Sequence, residues 1–135
     1  MLAFSKLPKE KRTKLIDRAI TAGVDFLFSQ DPAKADYPSG FSVKPSGNWR
    51  KFGFPVFYVT DILQIAEALV GLDYGGDPRL ANTLQVISEK QDARGRYLME
   101  YDYTGKTWVD FGAKKHPNKW VTLRALRALK AVGAD

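Results

Sequence analysis

The sequence predicts an all-α fold built from two αα-hairpins. Three observations lead there. Trp49-Arg50-Lys51-Phe52-Gly53 recurs as Trp108-Val109-Asp110-Phe111-Gly112. Each copy is followed by a proline and then an aromatic-Val-Thr: Pro55 with Phe57-Tyr58-Val59-Thr60, and Pro117 with Trp120-Val121-Thr122. Each then runs into an apolar segment of helical spacing that ends at a glycine, Gly71 or Gly133.

The first helix is expected over Lys9–Gln30. Leu15, Ile16, Ala19, Ile20, Gly23, Val24 and Leu27 make its apolar face. Lys9, Lys11, Arg12, Lys14 and Arg18 lie largely away from it. Asp31 to Asn48 follows as a long loop broken by Pro32, Pro38, Gly40, Pro45 and Gly47, with Tyr37 and Phe41 to pin it.

The second helix is expected from Pro55 to Leu72. It is apolar on nearly all sides apart from a polar stripe of Asp61, Gln64 and Glu67. Asp77-Pro78 opens a third helix that ends at Gly95. Arg96 to Lys106 alternates Tyr97, Met99, Tyr101 and Tyr103 with polar residues and reads as a short hairpin. His116-Pro117 opens the fourth helix, which runs to Val132. Its apolar stripe is Leu123, Leu126, Leu129 and Val132, and Arg124, Arg127 and Lys130 form a basic stripe beside it.

Prolines thus stand at four expected helix starts: Pro8, Pro55, Pro78 and Pro117. Gln30-Asp31 and Gln91-Asp92 repeat at nearly the same offset as the two tryptophan copies. The chain is read as one repeat domain over residues 1–135, with repeat one at about 9–72 and repeat two at about 77–133. One such unit cannot bury its own apolar helix, so neighbours must stack. Leu63, Ala66, Leu69, Leu126 and Leu129 are expected between the two apolar helices. An exposed apolar surface is expected around Phe57, Ile65 and Leu72, for further hairpins of a longer chain or self-association to cover.

Composition bounds the function. The chain has 135 residues, enough for one core. It has no cysteine, which removes disulfides, thiolate nucleophiles and thiolate metal sites. With one histidine and scattered carboxylates, no structural zinc and no cofactor is expected. The net charge of +6 reads first as a lysine-coated surface, with no nucleic-acid partner expected. An anionic partner or membrane surface is the lesser reading. No apolar run approaches a transmembrane segment. The charged start lacks a signal peptide, which points to the cytoplasm.

Gln91-Asp92-Ala93-Arg94-Gly95-Arg96-Tyr97, with Ile87 before it, resembles the glutamine–tryptophan repeat of the terpenoid cyclase and protein prenyltransferase α/α-toroids, with Tyr97 in the tryptophan position. Phe26-Leu27 and Gln30 begin a first copy, whose Gly47-Asn48-Trp49 comes after the long loop. The resemblance covers about Leu15 to Gly133. It implies inner and outer rings of helices and an apolar or isoprenoid ligand. The chain lacks the Asp-x-Asp-Asp acid motif of the cyclases, an Asp-Asp-x-x-Asp magnesium site, and the Asp, Cys and His zinc ligands of the prenyltransferases. A family ring also holds more hairpins than the two here, so the ring is expected to be incomplete.

The candidate substrate-binding residues are Trp49, Tyr58, Asp61, Trp108 and Trp120, at or before the mouths of the apolar helices. Aromatic faces there suit an isoprenoid, a sugar or a cation. The same rings also serve to plug each loop into its hairpin. Asp61 is either a desolvated acid or a helix-start carboxylate, and repeat spacing matches it with Leu123. His116, beside Lys114 and Lys115, reads as a helix-entry residue. Glu100, Asp102 and Asp110 are carboxylates of the type glycan chemistry uses. No catalytic residue is assigned. Three functions remain open: a terpenoid-cyclase-like ligand-binding domain, a non-catalytic scaffold, and a carbohydrate-active α/α-toroid domain. An enclosed apolar lumen favours the first and a filled core the second. An open cleft with carboxylates and exposed tryptophans favours the third.

Overall fold

The structure, a computed structural model, describes residues 1–34, 37, 46–57 and 60–133. The middle of the expected loop and the candidate site residue Tyr58 lie outside the described residues. Within them the protein is helical, with four α-helices: α1 (Lys14–Leu27), α2 (Ile62–Val70), α3 (Ala81–Glu89) and α4 (Lys119–Lys130). Short 3-10 turns at Phe4–Lys6, Lys9–Lys11 and Pro78–Leu80 precede α1 and α3. None of the described helices is long and apolar enough to cross a membrane.

Side-chain caps set where the helices begin. Thr13 accepts from the Ile16 amide at 3.3 Å and starts α1. Asp61 accepts from the Gln64 amide at 2.6 Å and starts α2. Asn118 accepts from the Trp120 and Val121 amides and starts α4. A cap satisfies amides that have no partner inside the helix, so the helices begin later than the prolines suggested. Only Pro78 sits in a first turn, behind the Asp77 cap. Pro8 lies before the Lys9–Lys11 turn, and Pro55 follows a cis peptide bond well ahead of α2. The helix starts therefore match Asp61 with Asn118, not with Leu123.

α2 packs most extensively against α4 and also against α3, and it meets α1 through a shared core cluster. Its Ile62, Leu63 and Ala66 join Ile87, Tyr97, Met99, Val121, Ala125 and Leu129 in one cluster. Its Ile65 and Leu69 join Ile20, Val24, Leu27, Leu72 and Leu80 in a second. Both faces of α2 are thus buried, as its nearly continuous apolar sequence requires.

Two expectations about the core fail. Leu126 is 40% exposed, because α4 turns Val121, Arg124, Ala125, Ala128 and Leu129 inward and leaves Leu123 and Leu126 outside. Of the apolar surface expected around Phe57, Ile65 and Leu72, only Phe57 is exposed. Ile65 and Leu72 are covered by α1 and by Met1 and Phe4 of the N-terminal segment. The Met1 side chain lies against Gly23, where a Cβ would make the methionine shift.

The Arg96–Lys106 segment does not pair with itself. Tyr97, Met99 and Tyr101 alternate inward as expected, and Leu98 points out. Their backbone partners lie elsewhere. Tyr101 bridges to Gly53 in parallel, and Leu98 bridges to Pro117 antiparallel. The segment stitches the approach to α2 to the approach to α4, with Glu100 N donating to Phe52 O at 2.7 Å and Asn118 N to Tyr97 O at 2.8 Å. Gly53 makes the crossing possible, since a Cβ there would lie 2.6 Å from the Tyr101 ring and carbonyl.

Candidate functional site

Two constellations stand out, one buried and one open. The buried one joins the starts and middles of α2 and α4. Asp61, fully buried, accepts from the Tyr101 hydroxyl at 3.0 Å and from Arg124 Nη2 at 3.3 Å. Arg124 also donates from Nη2 to Glu67 Oε2 at 2.7 Å and from Nη1 to the Gly53 carbonyl at 2.8 Å. The guanidinium is therefore shared by two carboxylates and a carbonyl from α2 and its approach. The sequence placed Arg124 on an outward basic stripe, and the structure buries it.

Burial works against the charge of Arg124, but Asp61 and Glu67 outweigh it and hold its pKa above the ordinary value. The Tyr101 phenol is raised well above its ordinary value, first by burial and then by the Asp61 charge. Every member of this cluster has a protein partner. Such an arrangement fixes α2 and α4 against each other and leaves Asp61 no open side for a ligand.

The open constellation lies over the 99–112 loop. A cleft of about 170 Å³ is lined by Phe54, Tyr103, Trp108 and Phe111, with Asp102 and Asp110 among its polar residues. Two glycines shape the loop. Gly105, at φ +77°, follows Thr104 in the turn that Lys106 N closes onto Tyr103 O at 2.8 Å. Gly112 has φ +116°. Asp102 Oδ1 accepts from the Thr104 amide and lies 3.7 Å from Lys114 Nζ. Asp110 Oδ1 accepts from the Gly112 amide at 2.8 Å.

An aromatic cluster backs the cleft. Phe54 meets Phe111 edge-on at 5.1 Å and stacks on Trp120 at 5.2 Å with an interplanar angle of 12°. Tyr103 lies between Phe57 and Tyr101, at centroid distances of 4.8 and 6.3 Å. The cleft is thus joined to the buried cluster through Tyr101. Trp108 is fully exposed at the cleft.

The four sequence candidates among the described residues, Trp49, Asp61, Trp108 and Trp120, do not form one site. Trp108 lines the cleft and Trp120 stiffens its wall through Phe54. Trp49 packs into both core clusters, meets Tyr37 edge-on at 5.5 Å and donates its indole N–H to Pro32 O at 2.9 Å. Asp61 belongs to the buried cluster. His116 is exposed, and its carbonyl accepts from Met99 N at 3.0 Å, so it serves the bridge before α4 rather than the helix itself. Among the described residues no three His, Asp or Glu side chains converge as a metal would require. Phe54, Tyr103 and Phe111 went unrecognised as lining residues. The repeat pairs Phe111 with Phe52 and Trp108 with Trp49, but nothing in the sequence says that Phe52 and Trp49 pack into the core while Phe111 and Trp108 border a cleft. Comparisons of the chain with protein-family models, with curated proteins and with solved structures find no match.

Proposed function

We propose that this protein is a binding domain of two αα-hairpins, related to the α/α-toroids, that takes one ring of a saccharide in the cleft beside Trp108. The central packing of α2 on α4, with α1 and α3 around them, supports the hairpin arrangement. The observation that carries the ligand class is Trp108, a fully exposed indole at an open cleft that also holds two carboxylates. A sugar ring offers an apolar C–H face to an aromatic side chain and hydroxyl donors at its rim. Asp102 and Asp110 each spend Oδ1 on a local turn. Oδ2 of each is then the natural acceptor for those hydroxyls.

Size agrees with one ring. The cleft of about 170 Å³ is smaller than pockets that engulf drug-sized ligands, which run roughly 300–1,000 Å³. An isoprenoid chain, the ligand implied by the terpenoid-cyclase resemblance, asks for a longer enclosed apolar space. The proposal is of binding. Both carboxylates are tied into loop turns, and Asp102 also faces Lys114.

The test is calorimetric titration of the full chain with neutral oligosaccharides, and in parallel with a prenyl alcohol. Saturable binding of one saccharide class, weakened at least several-fold in Trp108→Ala, is the expected result. Binding of the prenyl alcohol alone, indifferent to Trp108→Ala, would overturn the proposal and favour the isoprenoid ligand.

A further inference from the structure

α1 carries two apolar faces, and only one is used. Ile16, Ile20, Gly23, Val24 and Leu27 face the core or its margin. Leu15, Ala19, Ala22 and Phe26 are all exposed, Leu15 at 67% and Phe26 at 51% even though Phe26 leans on Tyr37 at 5.6 Å. At 3.6 residues per turn these four fall within about 60° of one another, roughly 120° from the core face. Their order is large, small, small, large. Such a stripe matches itself when a second copy runs antiparallel: Leu15 meets Phe26 at each end, and the two alanines let the backbones approach in the middle.

The charges beside the stripe are complementary in the same sense. Lys14, Arg18 and Asp25 lie along its solvent flank, and all three are exposed. None of them forms an ion pair within the chain among the described residues. In the antiparallel register that aligns Leu15 with Phe26, Asp25 of one copy stands between Lys14 and Arg18 of the other, about 3 Å along the axis from each. The relation repeats by the two-fold axis, so both copies gain it. A parallel two-fold pairing would put Lys14 and Arg18 on the opposite side of the seam from the second copy's Asp25, and the ion pairs would not form.

We infer that α1 is the seam of a two-fold dimer of this chain, with the Leu15–Ala19–Ala22–Phe26 stripe buried and Asp25 paired with Lys14 and Arg18 of the second copy. The core face of each helix lies roughly 120° from the stripe, so the seam does not draw on residues that the core already buries.

Sedimentation equilibrium of the full chain over a range reaching high micromolar concentration tests this. The weight-average mass should rise from one chain to two. Ala22→Arg should return the protein to a monomer, with a thermal melt unchanged from wild type at a concentration low enough that both are monomeric, because Ala22 is solvent-exposed in the monomer. Asp25→Lys should weaken the dimer several-fold, and adding Lys14→Glu and Arg18→Glu in that background should restore it. A wild-type chain that stays monomeric throughout overturns the inference, as does a dimer indifferent to Ala22→Arg. Failure of the charge exchange to restore association would overturn the antiparallel register.

Discussion

Arg124 of α4 reaches across to Asp61, the cap of α2, at 3.3 Å, and both side chains are buried. The same guanidinium holds Glu67 and the Gly53 carbonyl. One side chain therefore ties α4 to the cap, the middle and the approach of α2. Removing it strands Asp61 without a counter-charge. Arg124→Ala should destabilise by about 3–5 kcal/mol, the range for breaking one half of a buried pair. Urea melts check this, and a loss near zero would mean that water replaces the guanidinium at no cost.

Two buried tyrosines should respond differently to loss of their hydroxyl groups. The Tyr101 hydroxyl donates to Asp61, whereas that of Tyr97 finds no partner among the described residues. Tyr101→Phe should cost about 1–3 kcal/mol, since it leaves a buried acceptor short of a donor. Tyr97→Phe should be neutral or stabilising. Thermal melts of the two variants side by side decide it.

Alkaline pH should act through the buried phenols. The Tyr101 phenol is raised above its ordinary value by burial and by Asp61, and burial and Asp31 push Tyr37 up to about 12. A raised folded-state value means stability is fully present below the unfolded value of about 10 and falls as pH rises through the folded values. Unfolding free energy should therefore hold steady to about pH 10 and decline above it. Tyr101→Phe should decline less steeply. Denaturant melts across that range, followed with tyrosinate absorbance, provide the measurement.

Leucine truncation separates the two sides of the helices. Leu63 is fully buried, and Leu63→Ala should cost about 2–5 kcal/mol. Leu126 is 40% exposed, and Leu126→Ala should cost no more than about 0.5 kcal/mol. Equal losses would show that α4 is rotated from the orientation described.

Much of the helical content was legible, because apolar spacing and caps are local signals. The polar stripe on α2 was legible too, as Asp61 and Glu67 on an otherwise buried helix demand a partner. Arg124 was misread because it stands three residues from Arg127, and the regular spacing suggested one basic face. Its true face was available: it lies with Val121, Ala125 and Ala128. The starts of α2 and α4 were misplaced because proline was weighted above the Asp61 and Asn118 caps. The pairing of Tyr101 with Gly53 and of Leu98 with Pro117 was not legible, since alternation says which side chains turn inward but not which backbone they meet. The cover on Ile65 came from Met1 and Phe4, distant in sequence and without periodicity of their own.

The cleft is tested most directly by the three tryptophan indole N–H resonances during a saccharide titration. Trp108 is fully exposed at the cleft, and Trp49 is held by Pro32 O on the core side. The predicted result is a saturable shift of the Trp108 resonance, a smaller one at Trp120 through Phe54, and none at Trp49. A titration in which the Trp108 resonance stays fixed while any saccharide binds, or in which no saccharide binds at all, would contradict the assignment of the cleft.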